Sequence, residues 1–332
     1  MRPFKYSTPG DPRSATQLLE TNPAARFLAG GTNILDLMKE DVERPDELVD
    51  ITRLTLTGIQ TIASGVNKGG VSIGSLRNNT DTAGHPLIRQ QFPLLSQAIL
   101  AGASQQIRNM ATNGGNLNQR TRCPYFYEVS MPCNKREPGS GCGAYEGINR
   151  MHAIFGWSEK CIAVHPSDMC VALAALDAVV RVRNVAGQER IIPFTDYHRL
   201  PGNTPEKDNT LDHGELVTAI EIPPNPFAAR SYYLKVRDRA SYAFALVSVA
   251  AALEMSGSTI KGVRIALGGV AHKPWRATEA ETFLTGKPAT PDNFKQAADL
   301  AMQTAKPLTH NAYKVELGKR AIIHALEKLD HD

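Results

Sequence analysis

The chain has 332 residues and carries 37 Lys and Arg against 33 Asp and Glu, a formal net charge of +4. This length is sufficient for two or three domains, each with its own core. The basic residues are scattered along the sequence, which excludes a nucleic-acid-binding or membrane-binding stripe as the main feature. No apolar run reaches the roughly 18 residues typical of a spanning helix, and residues 1–5 lack the apolar core of a signal peptide. We therefore expect no membrane span, and any export would depend on a partner.

The first 50 residues predict a β-α-β-α-β unit. Asp11-Pro12 begins a helix, residues 26–29 form a strand, residues 34–39 a second helix and residues 48–51 another strand. Between the second strand and second helix lies the turn Ala29-Gly30-Gly31-Thr32-Asn33. Such a turn suits a phosphate, because the unpaired amides at a helix start carry partial positive charge. A single turn of this kind more often serves backbone geometry alone.

A second glycine turn follows two predicted hairpin strands, residues 59–62 and 71–76, and an apolar helix over residues 94–103. This turn reads Ala111-Thr112-Asn113-Gly114-Gly115-Asn116. Residues without a Cβ let backbone amides approach an anion closely. Two such turns in one chain favour phosphate binding over simple turn geometry.

Four cysteines follow the second turn in a stretch rich in Pro, Gly, Asn and Arg, for which we predict no regular helix or strand. They are Cys123, Cys133, Cys142 and Cys161. In an exported protein they suit two disulfides, and in the cytosol they suit a metal. The close Cys pairs of zinc knuckles and ferredoxins are absent, so the spacing alone leaves both alternatives open. Cys170 belongs to a helix capped by Ser167-Asp168 and is predicted to be a buried thiol.

The remaining chain predicts further strands, then a second α+β part. The strands before the predicted domain boundary at Pro223-Pro224-Asn225-Pro226 cover residues 179–183, 190–192 and 216–222. Beyond the boundary we predict strands over residues 232–236, 246–254 and 260–267, a helix or turn up to Ala243, and helices over residues 292–303 and 311–329.

These motifs, in this order, resemble those of the FAD-binding subunits of molybdenum hydroxylases, the family of xanthine dehydrogenase and carbon monoxide dehydrogenase. Besides the two glycine turns and Ser167-Asp168, the resemblance includes Lys235-Val236-Arg237-Asp238-Arg239 and Leu267-Gly268-Gly269-Val270-Ala271. It covers nearly the whole chain. The cysteine stretch is most similar to the inserted loop of the flavin subunits of bacterial periplasmic aldehyde oxidases.

The resemblance implies an α+β fold with a two-lobed FAD-binding domain of the p-cresol methylhydroxylase type. Lobe 1 would cover residues 1–55, and lobe 2 residues 56–224 with an inserted iron-sulfur loop at 118–165. Residues 225–332 would form a C-terminal α+β domain of the carbon monoxide dehydrogenase flavoprotein type.

The resemblance also implies the residues that bind FAD. Lobe 1 would wrap the pyrophosphate with Arg26, Phe27, Leu28, Ala29, Gly30, Gly31, Thr32, Asn33 and Ile34. Lobe 2 would close on it with Thr112, Gly115 and Asn116. Asp168 would accept hydrogen bonds from sugar or ribityl hydroxyls, which suits a carboxylate, and Lys235 would lie near the flavin ring. No side chain is expected to be catalytic, because the reacting atom is the flavin N5.

By the same resemblance, Cys123, Cys133, Cys142 and Cys161 would ligate a [4Fe-4S] cluster. A related cluster is implied for the flavin subunit of 4-hydroxybenzoyl-CoA reductase. Cys161 is the least certain ligand, with Cys170 as an alternative to it, and a zinc ion is an alternative to the cluster.

The implied assembly is a heterotrimer with a molybdenum cofactor subunit, which oxidises an aldehyde to a carboxylic acid, and a subunit with two [2Fe-2S] clusters. This chain would pass electrons through FAD to an external acceptor. Co-export with a signal-bearing partner would place it in the bacterial periplasm, with the cytoplasm as the alternative. Two rival functions are a flavin subunit of a reductive enzyme similar to 4-hydroxybenzoyl-CoA reductase and a non-catalytic zinc-stapled scaffold.

Other residues carry weaker expectations. We expect the His165 ring to bond to backbone. Tyr125-Phe126-Tyr127 suits either a partner interface or packing over the metal site, and His272 is expected at a strand end near the flavin or an interface. The basic loop residues are expected to be solvated: Arg120, Arg122, Lys135 and Arg136.

Overall fold

The computed structural model describes residues 1–331 and contains three β-sheets that follow one another along the chain. The first sheet has three parallel strands in the order β1-β3-β2. These strands are β1 (Lys5–Ser7), β2 (Ala25–Leu28) and β3 (Glu47–Asp50), and the connecting helices are α1 (Pro12–Thr21) and α2 (Ile34–Lys39). This arrangement confirms the predicted β-α-β-α-β unit. Helix α1 begins where predicted, because the Asp11 side chain accepts a hydrogen bond from the Ser14 backbone N–H.

The second sheet has five antiparallel strands in the order β4-β5-β8-β6-β7. The strands are β4 (Ile59–Thr61), β5 (Val71–Gly74), β6 (Val179–Arg183), β7 (Glu189–Pro193) and β8 (Leu216–Ile222). The helices of this part are α3 (Asn79–Gly84), α4 (Pro86–Gln91), α5 (Pro93–Ala101), α6 (Gln105–Met110), α7 (Asn113–Leu117), α8 (Pro124–Tyr127), α9 (Gly143–Glu146), α10 (Asp168–Ala175) and α11 (Phe194–Tyr197). The long segment between β5 and β6 therefore carries both the second glycine turn and the four cysteines.

The third sheet has four antiparallel strands in the order β12-β11-β10-β9. The strands are β9 (Ser231–Val236), β10 (Val247–Ser256), β11 (Thr259–Gly268) and β12 (Trp275–Arg276), and the helices are α12 (Thr278–Leu284), α13 (Pro291–Met302) and α14 (Tyr313–His331). Apolar residues of the sheet and helices form one core, among them Leu253, Ile265, Phe294 and Leu326. Within residues 1–331, no helix combines the length and apolar character needed to cross a bilayer.

Helix α10 joins the second and third parts of the fold. All of its residues are buried, and it packs between α5 on one side and strands β10 and β11 on the other. Ser167 caps it, since the Ser167 Oγ accepts from the Cys170 backbone N–H at 3.1 Å. The cap fixes Asp168, the first residue of the helix, at the place where the parts of the fold meet.

The structure differs from the predicted elements in several places. Helix α5 ends at Ala101 and does not reach Ala103, whose φ of 50° is left-handed and incompatible with a continuing helix. The segment before β10 is a loop, with Tyr242 at φ 53°. The cysteine stretch contains the one-turn helices α8 and α9 and a bridge between Cys133 and Cys142. Helices α3, α4, α6, α11 and α12 were not predicted, because none exceeds seven residues and so short a segment shows little periodicity.

Candidate functional site

The two glycine turns are in direct contact. Gly30 packs against the backbone of Met110, at the start of the second turn, so closely that a Cβ on Gly30 would lie 1.8 Å from the Met110 carbonyl oxygen. Only a residue without a side chain permits this approach. The structure therefore brings the turn of lobe 1 and the turn of lobe 2 to the same place.

A cavity of about 540 Å³ opens beside this contact, within the size range of small-molecule and cofactor sites. Its lining includes predicted residues from both turns together with Asp168 and Lys235. An adjoining cavity of about 310 Å³ shares the turn residues Gly30, Gly31, Thr32, Asn33 and Gly115 and adds Arg26, Phe27, Ala29, Ile34 and Thr112. Leu28 lines neither cavity. The Arg26 side chain donates back to the carbonyls of Pro23 and Ala25 and so is engaged by its own strand.

Asn33 presents an unsatisfied donor at the junction of these cavities. Its Oδ1 accepts from the Arg120 backbone N–H at 2.8 Å, and this contact fixes which way the amide faces. Its Nδ2 is buried and has no hydrogen-bond partner within the described residues. A buried N–H₂ without an acceptor is costly. An anionic ligand between the turns would satisfy it.

The second turn opens into the cavity at Gly115. Thr112 caps α7, with its Oγ1 accepting from the Gly115 backbone N–H at 3.2 Å. A Cβ on Gly115 would meet only that Oγ1, at 3.0 Å, because the rest of the surrounding space is free. Asn116 also lines the first cavity, and its Nδ2 donates to Asn79 while its Oδ1 accepts from Ser167 at 2.6 Å. Its amide links α7 to the start of α10.

Asp168 and Lys235 form a buried ion pair at the far side of the cavity. The Asp168 Oδ2 accepts from the Lys235 Nζ at 2.7 Å, and its Oδ1 accepts from the Tyr233 hydroxyl at 2.8 Å. Burial, and then the nearby Asp168 charge, raise the pKa of the Tyr233 hydroxyl well above 10. Tyr233 was not predicted from the sequence. Tyr233 lies two residues before Lys235 in β9, and alternate residues of a strand share a face. This spacing could have indicated that Tyr233 lies on the same side of the strand as Lys235.

The fit of these cavities to FAD rests on the donors and open space just described. Gly115 leaves room for a phosphate and Asn33 offers an unsatisfied donor, whereas the backbone N–H groups of residues 113–116 already donate within the chain. The carboxylate of Asp168 retains acceptor capacity for hydroxyls, since each of its oxygens has two lone pairs.

A third cavity, of about 240 Å³, extends from this site toward the cysteines. It shares Arg122, Pro166, Ser167, Asp168 and Phe244 with the first cavity and is also lined by Cys123 and His152. The Arg122 guanidinium lies 5.6 Å from the Phe244 ring centroid. The segment of residues 121–123 therefore borders both the predicted cofactor site and the cysteine region.

The four loop cysteines line one small common cavity: Cys123, Cys133, Cys142 and Cys161. All four are free thiols, as is Cys170, so this stretch contains no disulfide. Burial raises the pKa of Cys123 and of Cys161 to about 12, so neither would ionise without a metal. Cys170 lies elsewhere, in α10, with ligand atoms of His165 and His198 within 4.8 Å.

The spacing of these sulfurs bears on which metal they suit. Within residues 1–331, the group formed by His165, Cys170 and His198 is the one set of three or more His, Cys, Asp or Glu ligand atoms that all lie within 4.8 Å of one another. No three loop sulfurs are therefore that close. Thiolates on a single tetrahedral zinc ion are roughly 3.8 Å apart, given Zn–S bonds of about 2.3 Å. The loop sulfurs, as placed in the described chain, are therefore spaced more widely than the thiolates of one zinc ion.

The expectation that the basic loop residues are solvated is wrong for three of them. Arg120 forms ion pairs with Glu43, which precedes β3, and with Asp208, which precedes β8, and the buried Lys135 pairs with the same Asp208. Burial acts to raise the pKa of the Asp208 carboxyl, but these two cations outweigh it and hold the pKa below its usual range. Arg136 donates to loop carbonyls, including that of Phe126 at 2.7 Å. Arg120 and Lys135 thus connect the cysteine loop to the segments before β3 and before β8.

The structure also shows the surroundings of Phe126 and of the His165 ring. Phe126 is fully buried against Leu37 and Cys133, so this part of the aromatic segment packs within the chain. The His165 ring does not bond to backbone, since its buried Nε2 has no partner and the ring lies 4.2 Å from that of His198. The expected backbone bond of this ring was wrong.

Comparisons with known proteins agree with this geometry. Residues 2–225 match the family described as the FAD binding domain in molybdopterin dehydrogenase, and residues 232–329 match the CO dehydrogenase flavoprotein C-terminal domain. The chain belongs to the family of FAD-binding subunits of molybdopterin dehydrogenases. This assignment confirms the predicted family and favours it over the zinc-stapled scaffold.

Relatives of this family match along the full length of the chain. The aldehyde oxidoreductase FAD-binding subunit PaoB of Escherichia coli is 47% identical over 98% of both chains. The glyceraldehyde dehydrogenase medium chain of Sulfolobus acidocaldarius is 28% identical, also over 98% of both. A chain of quinoline 2-oxidoreductase from Pseudomonas putida 86 has a similar structure, with a TM-score of 0.76, 25% identity and coverage of 99% of this chain and 98% of that one. The predicted α+β two-part flavoprotein fold is thus confirmed. The individual cofactor ligands and the domain boundaries stay predictions.

Proposed function

We propose that this chain is the electron-transfer subunit of a heterotrimeric molybdenum aldehyde oxidase and carries both FAD and a [4Fe-4S] cluster. The observation that carries the proposal is the contact of two glycine turns beside one large cavity. The identity of 47% with a subunit named for aldehyde oxidoreductase supports the aldehyde as substrate of the assembly.

Bound FAD would supply the exchange between single electrons and electron pairs. The chain's own residues bind and orient it. We infer that the amides around Gly30 and Gly31 would donate to the pyrophosphate, together with the free Nδ2 of Asn33, and that the open space at Gly115 would admit it. Asp168 would accept from ribityl or sugar hydroxyls, and its ion pair with Lys235 would hold that side chain at the edge of the flavin site. No residue of this chain acts as an acid or base on the aldehyde.

Cys123, Cys133, Cys142 and Cys161 would ligate the cluster. Their common cavity supports this set, and the separate location of Cys170 argues against it as the fourth ligand. Binding would deprotonate thiols whose pKa is otherwise raised by burial. The iron would also hold together a loop with little regular structure.

The proposed partners are a subunit that binds the molybdenum cofactor and oxidises the aldehyde, and a subunit whose [2Fe-2S] clusters relay electrons to this chain. An external acceptor would remove the electrons. We further propose a periplasmic location reached by co-export with a partner that carries a signal, in which case fractionation should recover the chain with the periplasmic contents.

The decisive experiment is purification of the chain with the subunits that accompany it, followed by analysis of flavin and metals. We expect about one FAD, one molybdenum and eight iron atoms per assembly, four of the iron atoms belonging to two partner [2Fe-2S] clusters. A Cys133→Ser assembly is the matched control and should lose only the four iron atoms of this chain. A colourless chain that contains zinc and no flavin would refute the proposal.

A further inference from the structure

Two histidines contact the sulfurs of the cysteine loop. The His152 Nε2 lies 3.1 Å from the Cys123 Sγ, and the His272 Nε2 lies 3.3 Å from the Cys161 Sγ. Both rings are buried, with 3% and 8% of their residue surface exposed. The two contacts therefore take place away from water, where a hydrogen bond to a charged acceptor is strongest.

The direction of these hydrogen bonds follows from the chemistry of a metal-bound thiolate. A cysteine that ligates iron has lost its proton, so its sulfur can only accept. The Nδ1 of both rings is buried and has no partner within the described chain, so a proton placed there would be unsatisfied. The single N–H of each neutral imidazole is therefore on Nε2 and points at sulfur.

The position of both histidines depends on the third part of the fold. The His152 carbonyl accepts from the Lys314 Nζ at 3.1 Å and from the Asn311 Nδ2 at 3.2 Å, both at the start of the C-terminal helix. His272 belongs to the segment between β11 and β12. The third part of the fold thus holds the backbone of His152 and contributes His272 itself.

We propose that His152 and His272 donate N–H···S hydrogen bonds to the cluster thiolates of Cys123 and Cys161 and thereby raise the reduction potential of the cluster. This inference rests on the proposed [4Fe-4S] site. The histidines are positioning residues here and not ligands, since each faces a sulfur that is itself committed to iron.

The expected effect has a definite sign. Reduction adds negative charge to the cluster and its sulfurs, so a hydrogen bond to a thiolate stabilises the reduced form more than the oxidised form. Removing one donor should lower the ratio of reduced to oxidised cluster about tenfold at a fixed solution potential, which corresponds to a shift of about 59 mV to more negative values for one electron.

The test uses the full chain, purified with its iron and flavin, and a redox titration followed by electron paramagnetic resonance. His152→Phe and His272→Phe each remove a donor but keep a ring. His152→Gln is the conservative variant, because its amide can donate to the same sulfur. His198→Phe is the control, since the Nε2 of that buried histidine bonds to the Leu117 carbonyl and not to sulfur.

We expect each Phe variant at 152 or 272 to keep its iron and titrate at a more negative potential, with partial recovery in His152→Gln and no change in His198→Phe. Unchanged potentials in both Phe variants would overturn the proposal, as would loss of iron in His152→Gln. If a Phe variant does not fold, hyperfine spectroscopy of the unaltered chain labelled with ¹⁵N-histidine still decides, because the reduced cluster must couple to histidine nitrogen. An unaltered chain with FAD but no cluster overturns this inference and the proposed cluster while leaving the proposed flavin site intact.

Discussion

Replacing Gly30 with alanine should abolish tight FAD binding. The new Cβ would lie 1.8 Å from the Met110 carbonyl oxygen, whereas real Cβ contacts stay above 3.0 Å, so the two turns must separate by at least 1.2 Å along this contact. The obstacle is backbone on both sides, and no side-chain rotation relieves it.

A displacement of this size breaks the hydrogen bonds that the first turn is proposed to make with a pyrophosphate lying against the second turn, because such bonds weaken steeply outside their narrow distance range. A hydrogen bond to a charged group contributes about 1.5–3 kcal/mol. Loss of two bonds would therefore cost at least about 3 kcal/mol, which corresponds to roughly 100-fold weaker binding.

The assay is the flavin content of the purified variant, followed by titration of the stripped chain with FAD. Gly58→Ala is the matched control, since a Cβ at Gly58 meets nothing within 4 Å. Circular dichroism should show that both variants fold. A folded Gly30→Ala chain that retains one FAD with unchanged affinity would refute the convergence of the turns on the cofactor.

Three further predictions concern the loop and the core. Cys133→Ser should lose iron from this chain and keep FAD, whereas Cys170→Ser should keep both, as measured by metal analysis and flavin absorbance. Asp208→Asn should lower the free energy of unfolding by about 3 kcal/mol because it leaves mostly buried cations without their partner, while the exposed Asp46→Asn should change it little in the same urea titration. Burial and then the charge of Arg150 lower the pKa of Lys314 from 10.5 to about 7. The unfolded chain therefore binds more protons than the folded chain between pH 7 and 10, so the free energy of unfolding should rise with pH across that window. The Lys314→Met variant should not show this rise. A urea midpoint that stays constant from pH 7 to 9 in the unaltered chain would contradict the prediction.

The main strands and long helices were predictable because their sequences carry strong local signals. The Asp11-Pro12 start of α1 and the apolar runs of β10 and β11 are examples. The meeting of the glycine turns was inferred only through the family resemblance. Nothing local to Gly30 specifies that Met110 is its neighbour, since the contact joins residues far apart in sequence.

The polar partners inside the site were harder to predict. The basic residues of the cysteine loop look like ordinary surface charge, and their burial depends on Glu43 and Asp208 from distant segments. Likewise, the sequence around Tyr233 indicates only a strand residue, and it is the fold that places Asp168 within hydrogen-bond distance of its hydroxyl. In both cases the tertiary fold creates the electrostatic environment, so this environment cannot be predicted from residues that are neighbours in the sequence.

The ion pairs of Arg120 constrain how this protein could have arisen. Its guanidinium connects Glu43 and Asp208 across the base of the cysteine loop, and Lys135 from inside the loop shares the second carboxylate. Excising the loop, residues 118–165, would remove both cations and leave the carboxylates of Glu43 and Asp208 without these partners. An ancestral subunit could therefore gain or discard this insertion only together with substitutions at positions 43 and 208, and those two sites should covary with the presence of the insertion among related sequences.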